Sequence, residues 1–169
     1  ACLVGSGRCI RVRRNVVVGR GEDWPPHCGL GRTPLLIACK KGHLELVRLL
    51  LDRGADKEPT DNHGDSPLHL ACDKGHLEVV RLLLDRGADK EKADNNGGTP
   101  LHFACHGGHL EVVRLLLDCG ADKEAADENG DTPLFDACEE GRLEIIKLLL
   151  QRGPTPPSLT HLSLCRRTD

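Results

Sequence analysis

Aromatic residues are almost missing from this sequence: one tryptophan, two phenylalanines and no tyrosine in 169 residues. A core must therefore be assembled mostly from leucine and valine, within an apolar content of 38%. Methionine is absent altogether, position 1 included, which points to a fragment or a processed chain. No stretch approaches the roughly 20 apolar residues that cross a bilayer, and the opening "ACLVGSGRCIRVRR" lacks the continuous apolar segment of a signal peptide. The expectation is an intracellular protein, cytoplasmic with the nucleus as alternative, that does not engage a membrane. Nine cysteines would suit a secreted disulfide scaffold, but the count is odd and no export signal accompanies it, so reduced thiols are expected.

The overall charge of -3 hides a split. Residues 31–153 carry 16 Lys/Arg against 23 Asp/Glu, whereas residues 1–30 carry five arginines against Glu22 and Asp23. Those arginines, Arg8 to Arg20, have no interleaved aromatics and no known nucleic-acid motif. Residues 1–30 are thus read as a basic leader, disordered or partly covering the next unit, and no nucleic acid is expected. Trp24-Pro25-Pro26 is either an anchor onto that unit or part of the leader. "GSGRCI" has a Gly-x-Gly but no third glycine, preceding strand or following helix, and so reads as a turn rather than a phosphate loop.

What the sequence has in quantity is repetition. Thr33-Pro34-Leu35, Ser66-Pro67-Leu68, Thr99-Pro100-Leu101 and Thr132-Pro133-Leu134 recur every 33 residues, and Ala38-Cys39 and Gly42 recur in the same register. In the third unit, Thr99 is a helix N-cap with Pro100 at the first helical position, where its missing N–H costs nothing. The helix can run only to Gly107-Gly108; a second, "LEVVRLLLDC", ends at Gly120. Neither reaches the roughly 12 to 15 residues at which an isolated helix is even marginal, so the units must stack. The polar link between units projects as a loop with turn chemistry at Asn129-Gly130.

Thr-Pro-Leu-His, Ala-Cys-x-x-Gly-His-Leu-Glu-Val-Val-x-Leu-Leu-Leu and Gly-Ala-Asp stand nearly intact in units two and three, and in these motifs the sequence closely resembles the ankyrin repeat. The resemblance implies an all-α solenoid of stacked helix-turn-helix units with projecting β-turn or hairpin loops. It also implies a non-enzymatic scaffold or adaptor, without a cofactor and monomeric, that binds another protein. The alternative is a recognition segment of a larger multidomain protein. Four units are expected, at about 31–60, 61–93, 94–126 and 127–153, followed by a Pro-rich disordered tail at 154–169. The last unit is cap-like because Asp136 replaces Ile37, Leu70 and Phe103, and Pro154, Pro156 and Pro157 bar a further helix. One departure lies after Gly-Ala-Asp, where Lys57-Glu58, Lys90-Glu91 and Lys123-Glu124 replace the family's usual valine and asparagine. The asparagine hydroxylated in some relatives is therefore missing. The other departure is cysteine in place of the second alanine in all four units.

A competing reading rests on "HFACHGGH", where His102, Cys105 and His106 offer zinc-type ligands on one helix. His102, Cys105 and His109 are repeat positions, however; only His106 is peculiar to its unit. His102 and His109 are expected to bond loop backbone, and Cys105 to serve as a small buried hydrophobe. Packed helices roughly 8 to 10 Å apart hold the cysteine column beyond disulfide reach. Cys119, standing where Arg53 and Arg86 do, is expected to be the exposed thiol of the repeats.

In the ankyrin register, the partner-facing positions are the loop tips and the last turn of each first helix. These are Arg32, Lys40 and Lys41 in unit one, and Asn62, His63, Asp65, Asp73 and Lys74 in unit two. Unit three supplies Asn95, Asn96 and His106, and unit four Glu128, Asn129, Asp131, Glu139 and Glu140. The face is expected to run from positive at unit one to negative at unit four.

Overall fold

The computed structural model describes residues 32–151. The leader, Trp24, the "GSGRCI" turn and the Pro-rich tail lie outside them. Every regular element among the described residues is a helix: α1 (Pro34–Lys41), α2 (Leu44–Asp52), α3 (Pro67–Asp73), α4 (Leu77–Asp85), α5 (Pro100–Gly107), α6 (Leu110–Asp118), α7 (Pro133–Glu139) and α8 (Leu143–Gln151).

Each first helix starts as its sequence dictates. Thr33, Ser66, Thr99 and Thr132 are extended N-caps followed by proline, and the Thr33 and Thr132 hydroxyls accept the N–H groups of Leu36 and Phe135. α1 and α5 stop at Gly42 and Gly108, whose φ of 71° and 79° is the left-handed conformation that glycine takes without cost. The column is glycine for a second reason. The next unit's side chain fills the space that a Cβ would need, His76 against Gly42 and Arg142 against Gly108.

The helices pack as pairs, α1 with α2 through to α7 with α8, and the pairs stack in chain order. The first helices of successive pairs pack more closely than the second helices do. One continuous core runs through it, built on Leu50, Leu83, Leu116 and Leu149 from the second helices and Leu35, Leu68 and Leu101 from the first. Cys39, Cys72 and Cys105 lie in that core as free thiols. Burial pushes the Cys39 thiol up to about 12 and raises those of Cys72 and Cys105 further, so each stays protonated and inert.

One expectation is corrected. Cys119 is only 4% exposed, not open to solvent. Its backbone closes α6, its N–H bonding the Leu115 carbonyl, and at this position the shorter side chain tucks in where Arg53 and Arg86 extend outward. Among the described residues the exposed thiol is Cys138, whose equivalents Cys39, Cys72 and Cys105 in units one to three are buried.

Candidate functional site

The loops are organised by Asp61, Asp94 and Asp127. Asp61 Oδ1 accepts the N–H groups of His63 and Asp65 at 2.9 and 3.2 Å. Asp94 repeats the pattern with Asn96 and Gly98, and Asp127 with Asn129 and Asp131. Each loop closes on a backbone bond such as Asp61 N–H to Asp65 C=O at 3.1 Å, with Gly64, Gly97 and Gly130 at positive φ. These aspartates were not singled out by sequence reasoning, although their recurrence 33 residues apart, each three before a glycine, was the available signal. Asp127 is held below the usual carboxylate range, chiefly by the Asp131 N–H.

Successive loops are joined tip to tip. The Asn95 N–H donates to the His63 carbonyl at 3.0 Å, the Asn95 side-chain amide to the Asn62 carbonyl at 3.0 Å, and the Glu128 N–H to the Asn96 carbonyl at 2.9 Å. Behind the loops, His69 and His102 tie each first helix to the next loop. His69 Nδ1 accepts the Ser66 N–H at 3.1 Å, which fixes the tautomer; Nε2–H then donates to the Gly98 carbonyl, also at 3.1 Å. Burial holds the His69 pKa below its ordinary value. His102 does the same with Thr99 and the Asp131 carbonyl. His76 and His109 reach back to the preceding unit, at the Lys40 carbonyl (3.2 Å) and the Asp73 carbonyl (2.9 Å).

This arrangement answers the zinc reading. His102 spends both ring nitrogens on its own cap and the next loop, Cys105 is a protonated thiol inside the core, and His106 is exposed 3.6 Å from Glu140. The three sit in separate surroundings, and among the described residues no three His, Cys, Asp or Glu side chains group to hold a metal ion. His102 bonds loop backbone as expected, at Asp131, whereas His109 bonds the carbonyl of Asp73, the last residue of α3.

The positions expected to face a partner lie in the loops and at the ends of the first helices. Asn62, His63, Asn95, Asn96, Glu128 and Asn129 are exposed at the loop tips, while Asp65 and Asp131 are half-buried at the loop bases. Lys40 and Lys41 end α1, Asp73 and Lys74 end α3, His106 lies in the last turn of α5, and Glu139 and Glu140 end α7. Several charges are locally compensated. Arg32 lies 3.6 Å from buried Asp61, Lys74 3.1 Å from Asp73, and Glu140 3.7 Å from Arg142. Asp65 is the most perturbed acid of the face, its pKa raised to about 6 by burial and then by Asp61 and Asp94.

A family model for ankyrin repeats in three copies matches residues 12–94 and 90–158. The chain belongs to the ankyrin-repeat family. Among curated proteins, none matches it. Ankyrin repeats are generally protein–protein interaction modules and the family is typically non-enzymatic. No helix among the described residues is long and apolar enough to cross a membrane. The family's usual Val-Asn is replaced here by a structural clasp. Lys57 Nζ donates to the carbonyls of Arg86 (3.1 Å) and Gly87 (2.6 Å) at the end of α4, and Glu58 accepts the Asp89 N–H at 3.0 Å. Glu91 takes the Asp122 N–H and Lys123 the Leu149 carbonyl in the same way.

Proposed function

We propose that this protein is a non-enzymatic interaction module. It binds a partner protein along the face formed by the loop tips and the ends of α1, α3, α5 and α7. The observation that supports this most is the loop row itself. Backbone bonds between Asn95 and His63 and between Glu128 and Asn96 hold three tips in fixed spacing, so their exposed side chains are ordered before a partner arrives. Lys40 and Lys41 lie at one end of the face, Glu128 and Glu139 at the other, an arrangement suited to a partner of opposite polarity. Arg32, Asp73, Lys74 and Glu140 contribute less to this polarity because each has an oppositely charged neighbour.

Charge of this kind acts on encounter more than on final affinity. Association of an authentic partner should slow as salt rises towards about 0.5 M, where the screening length falls to roughly 4 Å. The double reversal Glu139→Lys with Glu140→Lys should slow association several-fold with little change in dissociation. Association rates indifferent to both perturbations would remove the electrostatic part of the proposal.

A further inference from the structure

Asparagine followed by glycine occurs twice in the sequence, at Asn96-Gly97 and Asn129-Gly130, and both pairs lie at loop tips in the same repeat register. The pairing carries chemistry of its own. The N–H of a glycine next in the chain can attack the asparagine side-chain carbonyl, because no Cβ crowds the ring that forms. Asn62 and Asn95, also at loop tips, are followed by His63 and Asn96, whose side chains hinder the same closure.

Within their own loops the two pairs are held alike. The Asn96 N–H donates to Asp94 Oδ1 at 2.9 Å and the Asn129 N–H to Asp127 Oδ1 at 2.8 Å. The Gly97 and Gly130 N–H groups donate to the Asp94 and Asp127 carbonyls at 3.2 and 3.1 Å. What differs is the cover. The Asn96 carbonyl accepts the Glu128 N–H at 2.9 Å, and a Cβ at Gly97 would lie 2.8 Å from the Glu128 nitrogen, so the loop of unit four rests on this pair. Gly130 is exposed, and among the described residues no atom beyond its chain neighbours lies within 4 Å of where its Cβ would stand. Asn129 has one additional bond, from its side-chain amide to Asp127 Oδ2 at 3.3 Å, but it is long and solvent-exposed and contributes little.

We propose that Asn129-Gly130 is a modification site, where the asparagine converts spontaneously to aspartate and isoaspartate, and that the covered Asn96-Gly97 pair reacts more slowly. Solvent base takes the Gly130 amide proton and the nitrogen attacks Asn129 Cγ; the Cγ–Nδ2 bond breaks, and the side-chain amide departs as ammonia with a proton from solvent. A cyclic imide remains. Water then adds to one of its carbonyls: cleavage at Cγ gives aspartate, and cleavage at the backbone carbonyl gives isoaspartate, with the chain rerouted through Cγ. Each route requires the loop to open so that the glycine nitrogen reaches Cγ. At Asn96 that opening also breaks the bond from Glu128, and the net loss of one hydrogen bond corresponds to a several-fold slower closure. Either product places a new carboxylate beside Glu128, at the acidic end of the loop row. The effect of that charge on a partner rests on the binding face proposed above, whereas the conversion itself does not.

The test is a time course of the full chain in mildly alkaline buffer at physiological temperature, digested at intervals and read by peptide mass spectrometry. The peptide holding Asn129 should gain the mass of a hydroxyl in place of an amino group several-fold faster than the peptide holding Asn96. Part of the product should be isoaspartate, detected as a methyl acceptor for an isoaspartyl methyltransferase. In the guanidinium-unfolded chain the two rates should converge, because the loop of unit four then covers nothing. Equal rates in the native protein, or faster conversion at Asn96, would overturn the proposal, as would a native chain in which neither converts while the unfolded chain does. A difference that persists on unfolding would also overturn it, since local sequence and not the fold would then set the order.

Discussion

His69→Leu removes the linchpin between units two and three without changing the shape of the site much. Leucine already occupies this register in unit one, where Leu36 is fully buried, so the fold accommodates it sterically. The cost is polar. The Ser66 N–H, buried and bonded to Nδ1 at 3.1 Å, loses its acceptor, which costs about 1–3 kcal/mol. The Gly98 carbonyl loses one of two bonds, since the Asp94 N–H still reaches it at 2.9 Å, costing about 0.5–1.5 kcal/mol. The edge-on contact with Phe103 adds about 0.5–1.5 kcal/mol. Leucine's greater gain from burial returns roughly 1 kcal/mol. The net loss is about 1–5 kcal/mol, a large share of the roughly 5–15 kcal/mol that holds a domain folded. Urea unfolding at pH 7.5 followed by circular dichroism measures it. A change in midpoint worth less than about 0.5 kcal/mol would refute the claim that the histidine acts through these bonds.

Three further outcomes follow from the same contacts. Because the folded pKa of His69 lies below the unfolded value of about 6.5, the unfolded chain binds the proton first, so stability falls as pH drops through 6.5; Asp65, raised to about 6, contributes oppositely, adding stability as pH falls from about 6 towards 3.8. Asp65→Asn should therefore stabilise the protein at pH 7 and converge with the parent near pH 4, read from urea midpoints across pH. Lys57→Ala should lower stability by about 1 kcal/mol through the lost bonds to Arg86 and Gly87 while leaving partner association unchanged, because the clasp lies away from the loop tips. Under native conditions a maleimide should label Cys138 well before Cys39, Cys72, Cys105 or Cys119, as peptide mass spectrometry of the partly labelled chain would reveal.

The first helices were legible because their boundaries are written in local chemistry, Thr-Pro or Ser-Pro at the start and glycine at or just after the stop, and the apolar second helices because they are too short to stand alone. The roles of His102 and His109 were legible too, since repetition at a fixed offset separates structural histidines from ligands. Cys119 was misjudged because alignment with Arg53 and Arg86 carries over the direction of a long charged side chain that a short apolar thiol does not share. The clasp of Lys57 and Glu58 was seen only as a departure from the family, because its meaning depends on which carbonyls and N–H groups the next unit brings within reach. The compensation of Arg32 by Asp61 was hidden for the same reason, being a contact of folding, whereas Arg142 beside Glu140 and Lys74 beside Asp73 are near neighbours in sequence.

The carboxyl end also reads differently in three dimensions. Asp136 is half-buried, with burial raising its pKa against the opposing effect of His102 in the preceding unit, while Phe135, Leu143 and Leu150 are exposed. Leu150 is 66% exposed where Leu117, one unit earlier, is 7%. The polar substitution at position 136 faces the preceding unit, so it does not replace the apolar surface exposed at this end.

The central claim, that a partner protein binds on the loop-tip and first-helix face, is tested most directly by hydrogen–deuterium exchange of the full chain with and without an authentic partner. Protection should gather at residues 61–65, 94–98 and 127–131 and at the ends of α1, α3, α5 and α7, leaving α2, α4, α6 and α8 unchanged. Protection confined to those second helices would contradict the account.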